Sequence, residues 1–449
     1  MALASLASLG SVPAARGRIP LAGHTVPLWR RPLAFLASQR PKGGMVRVDV
    51  GPLPVYLVTD PELAYEVLVT KAASLGRGRL YERLRPVLGL GLAMSDGGEH
   101  RRQRRLVRAA LRGVPPARYT EISAHHAEEL TSAWRTAEMV RVDEAMFDLV
   151  LGILLEAAFS SGLGRAAAAE IRFSTRVVAK GVLGRAITPR LLDRLPNPPH
   201  QRYDAAAARL RFVVDTLIED RRADDGGFDD LLSLLMAARD PETGAGMTDD
   251  RIRDELVTLL MAGTEQAAAT LAWSFHELAR HPEVADRLRE EVDRVLDGRP
   301  CAPGDPPRLA YTQRVLNEVV RLHAAPLLPR RTCSPVKIGG MHVPEGTELA
   351  VSPYAMHRNP WLFPYPERLD PDRWVSTEGS RILPRGAFLP FGDGGRRCVG
   401  DAIAWTVMTV AVAAVCSRWR LRPAGWHRVR EVPAAVPRPD ALPMIVENR

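Results

Sequence analysis

Residues 390–400 read PFGDGGRRCVG and set one cysteine, Cys398, beside four glycines that fall within nine residues. Such glycine density predicts a backbone held in turns that most side chains forbid. The run DAIAWTVMTVAVAAVCSRW that follows is strongly helical in pattern, so Cys398 is expected on a stiff loop feeding a helix N-terminus. There the backbone N–H groups, the positive end of the helix dipole and the charges of Arg396 and Arg397 favour thiolate over thiol. A thiolate so placed can ligate a metal, although a small buried hydrophobe is the commoner role for a lone cysteine.

A second group lies in MAGTEQAAATLA, residues 261–272, where Gly263, Glu265 and Gln266 interrupt an apolar helical pattern. Glycine inside a helix costs about 1 kcal/mol relative to alanine, and an unpartnered acid there is expensive to bury. Either the glycine admits a crossing helix while Glu265 reaches solvent, or the helix passes a large flat ligand and the polar residues do chemistry. Glu318 and Arg321 in NEVVR lie three apart, opposite an apolar face of Val315, Leu316, Val319 and Val320. By themselves they read as an exposed pair worth a few tenths of a kcal/mol, roughly 0.3. The dense basic run EHRRQRR, residues 99–105, puts His100 and Arg104 four apart on one helix face.

The elements that must position these residues are mostly helical. Segments 61–71, 99–112, 117–135, 143–161, 204–222 and 229–238 repeat their apolar residues every three to four positions. The helix holding Gly263 is predicted to start at the N-cap Thr248 and to stop before His281-Pro282, about 32 residues or roughly 48 Å. Residues 46–59 alternate around a Gly-Pro turn and read as a hairpin, and a second hairpin is expected within 336–355. The fold class is therefore mainly α with small β-sheets. Connectors at 193–200, 222–229 and 298–308 are short and there are no repeats, which favours one large domain over residues 1–449, with 1–45 as a lead-in.

The five positions Phe391, Gly394, Arg396, Cys398 and Gly400 match FxxGxRxCxG, and the loop thereby resembles the haem-binding loop of the cytochromes P-450. Residues 261–266 resemble that family's distal-helix motif, and Glu318 with Arg321 its ExxR pair. PERLDPDRW, residues 366–374, resembles its PERF segment. The resemblance implies heme b (iron protoporphyrin IX) held between a long distal helix and the cysteine loop, with Cys398 as the iron ligand. It implies that His100, Arg104 and Arg330 hold propionates and that Glu318, Arg321 and Arg368 form a buried clamp. Gly263, Glu265 and Gln266 then border the oxygen site. One position departs from the pattern: Gln266 stands where the family has threonine. An amide is not readily a proton donor, and Thr264, two residues earlier, is offset by about 200° around the helix.

The implied activity is monooxygenation of a hydrophobic small molecule, with electrons from NAD(P)H through ferredoxin reductase and ferredoxin. Residues 73–95 and 172–205 with Ala267, Ala268, Leu327 and Leu328 are expected to line an apolar cavity. Stretches such as HRRQRRLVRAAL and VSPYAMHRNP resemble actinobacterial members that oxidise terpene hydrocarbons. Another lipophilic natural product such as a polyketide or macrolide, or a haem protein with non-oxygenase or peroxide-driven activity, is the alternative that Gln266 leaves open.

Composition trims other classes. The four cysteines contain no CxxC pair, which argues against a zinc ribbon or disulfide framework. The N-terminal apolar run is shorter than the roughly 20 residues that span a bilayer, and a cytoplasmic monomer without a membrane anchor is expected. The net charge of +9 reads as a solvated face or as a surface for an acidic partner, with Arg101, Arg102, Arg105 and Arg397 as a docking face for ferredoxin. Nucleic-acid binding is not expected.

Overall fold

The long helix forms where its pattern and cap predict it. In the computed structural model, which describes residues 9–39, 44–160, 163–187, 197–224, 229–375 and 383–449, it runs over Asp249–Arg280. Thr248 accepts the Arg251 N–H at its N-terminus, and Asp249 and Asp250 occupy its first turn. The principal helices, in chain order, are α1 (Gly97–Gly113), α2 (Pro116–Ala133), α3 (Val142–Phe159), α4 (Arg165–Ile187) and α5 (Pro198–Ala223). They are followed by α6 (Leu231–Ala237), the long α7, α8 (Pro282–Leu296), α9 (Ala310–Leu322) and α10 (Asp401–Arg418).

Helix α7 belongs to two cores at once. Its C-terminal half, with Leu271, Trp273 and Phe275, packs among Tyr119, Val150, Leu288, Val315 and Met408. Its N-terminal half, with Ile252, Leu256 and Leu260, packs among Leu106, Leu151, Ile171, Leu210 and Leu232. Where the two cores meet, Ala262 and Gly263 are exposed although their neighbours Met261 and Thr264 are buried. A buried helix with an exposed central patch is what a wall beside a cleft requires.

Residues 46–59 make the predicted hairpin, with Met45–Val50 antiparallel to Leu53–Val58. The second expectation is corrected in part. Val336–Ile338 and Met341–Val343 pair with each other, but Glu348–Val351 leaves them and lies parallel to Leu53–Val58. It also pairs antiparallel with Leu328–Thr332, completing a five-stranded sheet whose last strand is Leu75–Gly76. Burial explains the choice, since Glu348–Val351 is buried at every residue and so belongs between two strands rather than at an edge. The final pairing, Gly76 opposite Arg331, brings Arg77 next to Arg330.

Helix α10 is long and apolar enough to cross a membrane, but half of it is buried inside the protein, against Tyr119, Leu316 and other residues of the first core. Part of the expected cavity cover, residues 188–196 within 172–205, lies outside the described residues.

Candidate functional site: a cysteine loop, a cationic cradle and the middle of the long helix

The cysteine loop is shaped by glycine as its composition predicts. Gly392 and Gly394 adopt φ of 70° and 67°, and a Cβ on Gly394 would sit 2.1 Å from the Leu68 carbonyl oxygen. Asp393 accepts the Gly394 N–H at 2.7 Å, and the Cys398 N–H donates to the Phe391 carbonyl at 3.0 Å. Phe391 packs edge-on to Trp405 of α10 at 5.4 Å, and Gly400 caps that helix. Cys398 itself is exposed but lies among enough protein that burial is the largest influence on its thiol, pushing its pKa up. The Gly400 N–H, Arg104 and Arg397 oppose that shift, while Asp401 adds to it. The net direction is upward, so burial outweighs the Gly400 N–H and the two arginines within the chain's own residues, and a metal that takes the sulfur as thiolate releases its proton.

Behind this loop sits the clamp. Glu318 and Arg321 are fully buried and paired at 2.6 Å, so the resemblance, rather than the helical wheel, correctly places them inside. Arg321 also donates to the carbonyls of His357 at 2.9 Å, Pro366 at 2.6 Å and Arg368 at 3.1 Å. Arg368 does not complete the cluster as expected: its side chain is exposed, and only its backbone takes part. Arg373 fills that place, its Nε 3.1 Å from Glu318, and Trp374 donates to Glu318 at 3.2 Å. PERLDPDRW contains the triplet Pro-acid-Arg twice, and the 3-10 turn Pro371–Trp374 carries the second copy inward against α9.

The clamp reaches the loop through one imidazole. His357 is fully buried, and burial, with Arg321 and Arg358, holds its pKa down at about 3. The ring is therefore neutral, and its Nε2 accepts the Leu389 N–H at 3.0 Å, two residues before Phe391.

A cationic cradle stands beside these elements. Buried Arg330, on the strand Leu328–Thr332, and Arg396, from the cysteine loop, surround buried His100 on α1. Arg396 donates to the Ser95 carbonyl at 3.0 Å and pairs with Asp96. Arg77 was not foreseen; the signal was there in GRGR, residues 76–79, arginines set into an otherwise apolar segment. Among the described residues its buried Nε has no hydrogen-bond partner, and its guanidinium lies over the Tyr81 ring at 4.5 Å. Burial first, then the neighbouring arginines, pushes His100 down to about 3, while Arg330 and Arg396 are each pushed down to about 10 by burial and by Arg77. Like charges gathered in a buried place with one carboxylate, Asp96, among them call for an anionic ligand. The two propionates of a haem fit that requirement, and the neutral His100 can donate to one of them. Arg104 sits further round, with Nη1 on the Arg397 carbonyl at 2.6 Å, and so ties α1 directly to the residue before Cys398.

In the long helix, a Cβ on Gly263 would lie 2.9 Å from Leu154 Cδ1, so the glycine both admits a crossing helix and leaves the cleft open. Thr264 is fully buried, its hydroxyl on the Leu260 carbonyl at 2.6 Å. Gln266 follows Ala262 by four residues, about 40° around the helix, and shares its face. Glu265 does not: it lines a separate cavity of 70 Å³ with Arg176, Lys180, Ala268 and Arg438. Among the described residues its Oε1 has no hydrogen-bond partner. Burial pushes this carboxyl up to about 7 against the lowering influence of Arg438 and the Ala435 N–H. Ala268 thus faces that cavity rather than the cleft, and Ala267 is in the core.

The basic docking face is also redrawn. Arg102 and Arg105 are engaged by Asp240 at 3.4 and 3.0 Å, and Arg397 by Asp401 at 2.9 Å. Arg101, Arg108 and Arg112 remain exposed, at spacings of seven and eleven that keep them on one face of α1.

The model of the family described as Cytochrome P450 matches residues 13–433. Cyclooctatin synthase of Streptomyces melanosporofaciens is 42% identical over 97% of this chain and 95% of its own. Pentalenene oxygenase of Streptomyces avermitilis is 35% identical over 97% and 95%. The crystal structure of the cytochrome P450DA heme domain superposes with a TM-score of 0.87 at 25% identity, covering 98% of this chain and 97% of that one.

The two arginines of 366–374 separate by experiment. Arg373→Ala strips a buried carboxylate of a partner and is expected to cost about 3 kcal/mol, whereas exposed Arg368→Ala stays within about 0.5 kcal/mol. Urea unfolding of the two variants checks this.

Proposed function

The chain belongs to the cytochrome P450 family, and on that premise we propose that it inserts one oxygen atom from O2 into a terpene hydrocarbon or terpene alcohol, using electrons from NAD(P)H passed through ferredoxin reductase and ferredoxin. It is a haem-thiolate monooxygenase with heme b as cofactor. The observation that carries the site assignment is the convergence of the Cys398 loop with the cradle of Arg330, Arg396 and His100. The terpene assignment is supported by the Streptomyces relatives, among them one named cyclooctat-9-en-7-ol 5-monooxygenase, 40% identical over 97% of this chain.

In this reading Cys398 would hold the haem iron, with Phe391 and Gly400 holding its loop, and Arg330, Arg396, His100 and Arg77 would hold the propionates, with Arg104 bracing the loop from α1. Bound haem supplies the redox chemistry of O2, and thiolate ligation favours O–O cleavage. The protein's own task on the distal side is to exclude bulk water and move protons. Gln266, on the cleft face, holds a water through an amide that accepts one hydrogen bond and donates two. Glu265, next in the chain but turned by about 100°, exchanges its proton near neutral pH because its carboxyl titrates at about 7. Below that value it is the protonated form, raised by burial, that prevails; above it the carboxylate does.

The exposed row Arg101, Arg108 and Arg112 suits an acidic electron-transfer partner. A monomer working in the cytoplasm completes the reading.

Three measurements follow from it. The reduced protein with carbon monoxide is expected to give a thiolate-type spectrum that Cys398→Ser abolishes; an unchanged spectrum overturns the ligand. Gln266→Thr is expected to raise product formed per NADH consumed by about twofold, and no gain counts against the deficient relay. Reversing charge at Arg101 and Arg108 is expected to slow ferredoxin-driven turnover roughly tenfold at low salt, with the difference shrinking as salt rises.

A further inference from the structure

His323 follows the clamp helix α9 directly and is not part of the clamp. Its ring stacks on Trp273 of α7 with centroids 4.0 Å apart and planes 1° from parallel. Its Nδ1 lies 2.8 Å from Glu431 Oε1 and its Nε2 3.5 Å from Glu277 Oε1. Glu431 also accepts the Tyr354 hydroxyl at 2.9 Å. Glu431 opens a hairpin, Glu431–Val432 paired with Arg438–Pro439, and the turn between these strands contains Pro437, whose carbonyl accepts the Trp273 indole N–H at 2.8 Å. The two ends of the hairpin are therefore gripped by two rings that are stacked on each other. The far strand delivers Arg438, and the turn delivers the Ala435 N–H, to Glu265.

We propose that His323 is a positioning residue of the monooxygenase reaction: stacked on Trp273 and bonded to Glu431, it fixes the 431–439 hairpin so that Arg438 and the Ala435 N–H stay on Glu265. Glu265 is buried with one oxygen unpartnered among the described residues, and these two contacts stabilise its charged form against burial. The remaining charged groups around its cavity are Asp143 and Glu144 on α3 and Arg176 and Lys180 on α4. Around His323 itself stand Glu277, His276 and Arg280 on α7, Glu431 in the hairpin, and Tyr354 and Arg358 beyond it. A packing residue would be expected to fill space; this one connects a helix end, a hairpin and the long helix through directional contacts, and the hairpin it holds carries the two groups that act on Glu265. The link to proton delivery rests on the reading of Glu265 given above.

Infrared difference titration of the holoenzyme tests it without turnover. The protonated-carboxyl band that disappears in Glu265→Gln identifies the group. In His323→Ala and in Glu431→Gln the midpoint of that band is expected to move upward, by about half a pH unit or more, because two influences that lower it are loosened. Trp273→Phe keeps the stack but removes the N–H to Pro437, and a smaller upward shift is expected; it also serves where His323→Ala does not fold. Product per NADH is expected to shift its pH profile in the same direction. An unmoved midpoint in Glu431→Gln and Trp273→Phe, with haem content intact, overturns the proposal. Should Glu265→Gln leave coupling unchanged, the relay reading fails while the midpoint shift still decides the role of His323.

Discussion

The buried pair of Glu318 and Arg321 is the constraint on which the rest is arranged. Two ions without solvent contact are tolerable only when every remaining donor and acceptor is matched. Here Arg321 donates to Glu318 and to three carbonyls, while Glu318 accepts from Arg373, Trp374 and the Asp370 N–H. Those partners come from two stretches of chain outside α9, so satisfying the pair forces 357, 366–374 and α9 into one place. His357 then extends the constraint to Leu389 and the cysteine loop. A rigid loop matters to the proposed role of Cys398, because a functional side chain has to be held in place by its supports, and loop residues left to themselves do not supply that.

The cradle works by the opposite logic, since among the described residues its cations outnumber the one carboxylate, Asp96, that pairs with them. Arg330 and Arg396 sit close enough, with Arg77, to depress one another, and His100 cannot protonate among them. Without an anion this is a destabilising arrangement, and with one it becomes a set of charge-assisted hydrogen bonds. The sheet pairing of Leu75–Gly76 with Leu328–Thr332 and the turn at Asp96 before α1 are what hold the arginines together against their repulsion.

Much of this was legible in the sequence because it is local or periodic. The cap at Thr248, the length of α7, the glycine loop and the first hairpin follow from short-range rules, and the motif matches identify Cys398, Glu318 and Arg321. What stayed hidden depends on contacts across the chain. Arg368 and Arg373 have equivalent Pro-acid-Arg contexts, and only packing against α9 selects the second. Arg102 and Arg105 look like surface charge until Asp240, far along the chain, is found against them. Cys398 was expected to favour the thiolate from its dipole and arginine neighbours, but burial outweighs both, and burial is not a property of spacing. Arg77 belongs to no motif and acquires meaning only through a strand pairing.

The division between Glu265 and Gln266 follows from helix geometry. Consecutive residues diverge by about 100°, so neighbouring side chains on one helix can face different surroundings. Gln266 takes the cleft, and Glu265 takes the cavity shared with α3, α4 and the 431–439 hairpin. The carboxyl and the amide are thereby turned about 100° apart on one helical turn, beside Ala262 and Gly263, which carry almost no side chain. With no hydroxyl at 266, the proposed relay runs through water held by the amide. In that proposal the protonation state of Glu265, set by burial against Arg438 and the Ala435 N–H, governs how readily that water is recharged.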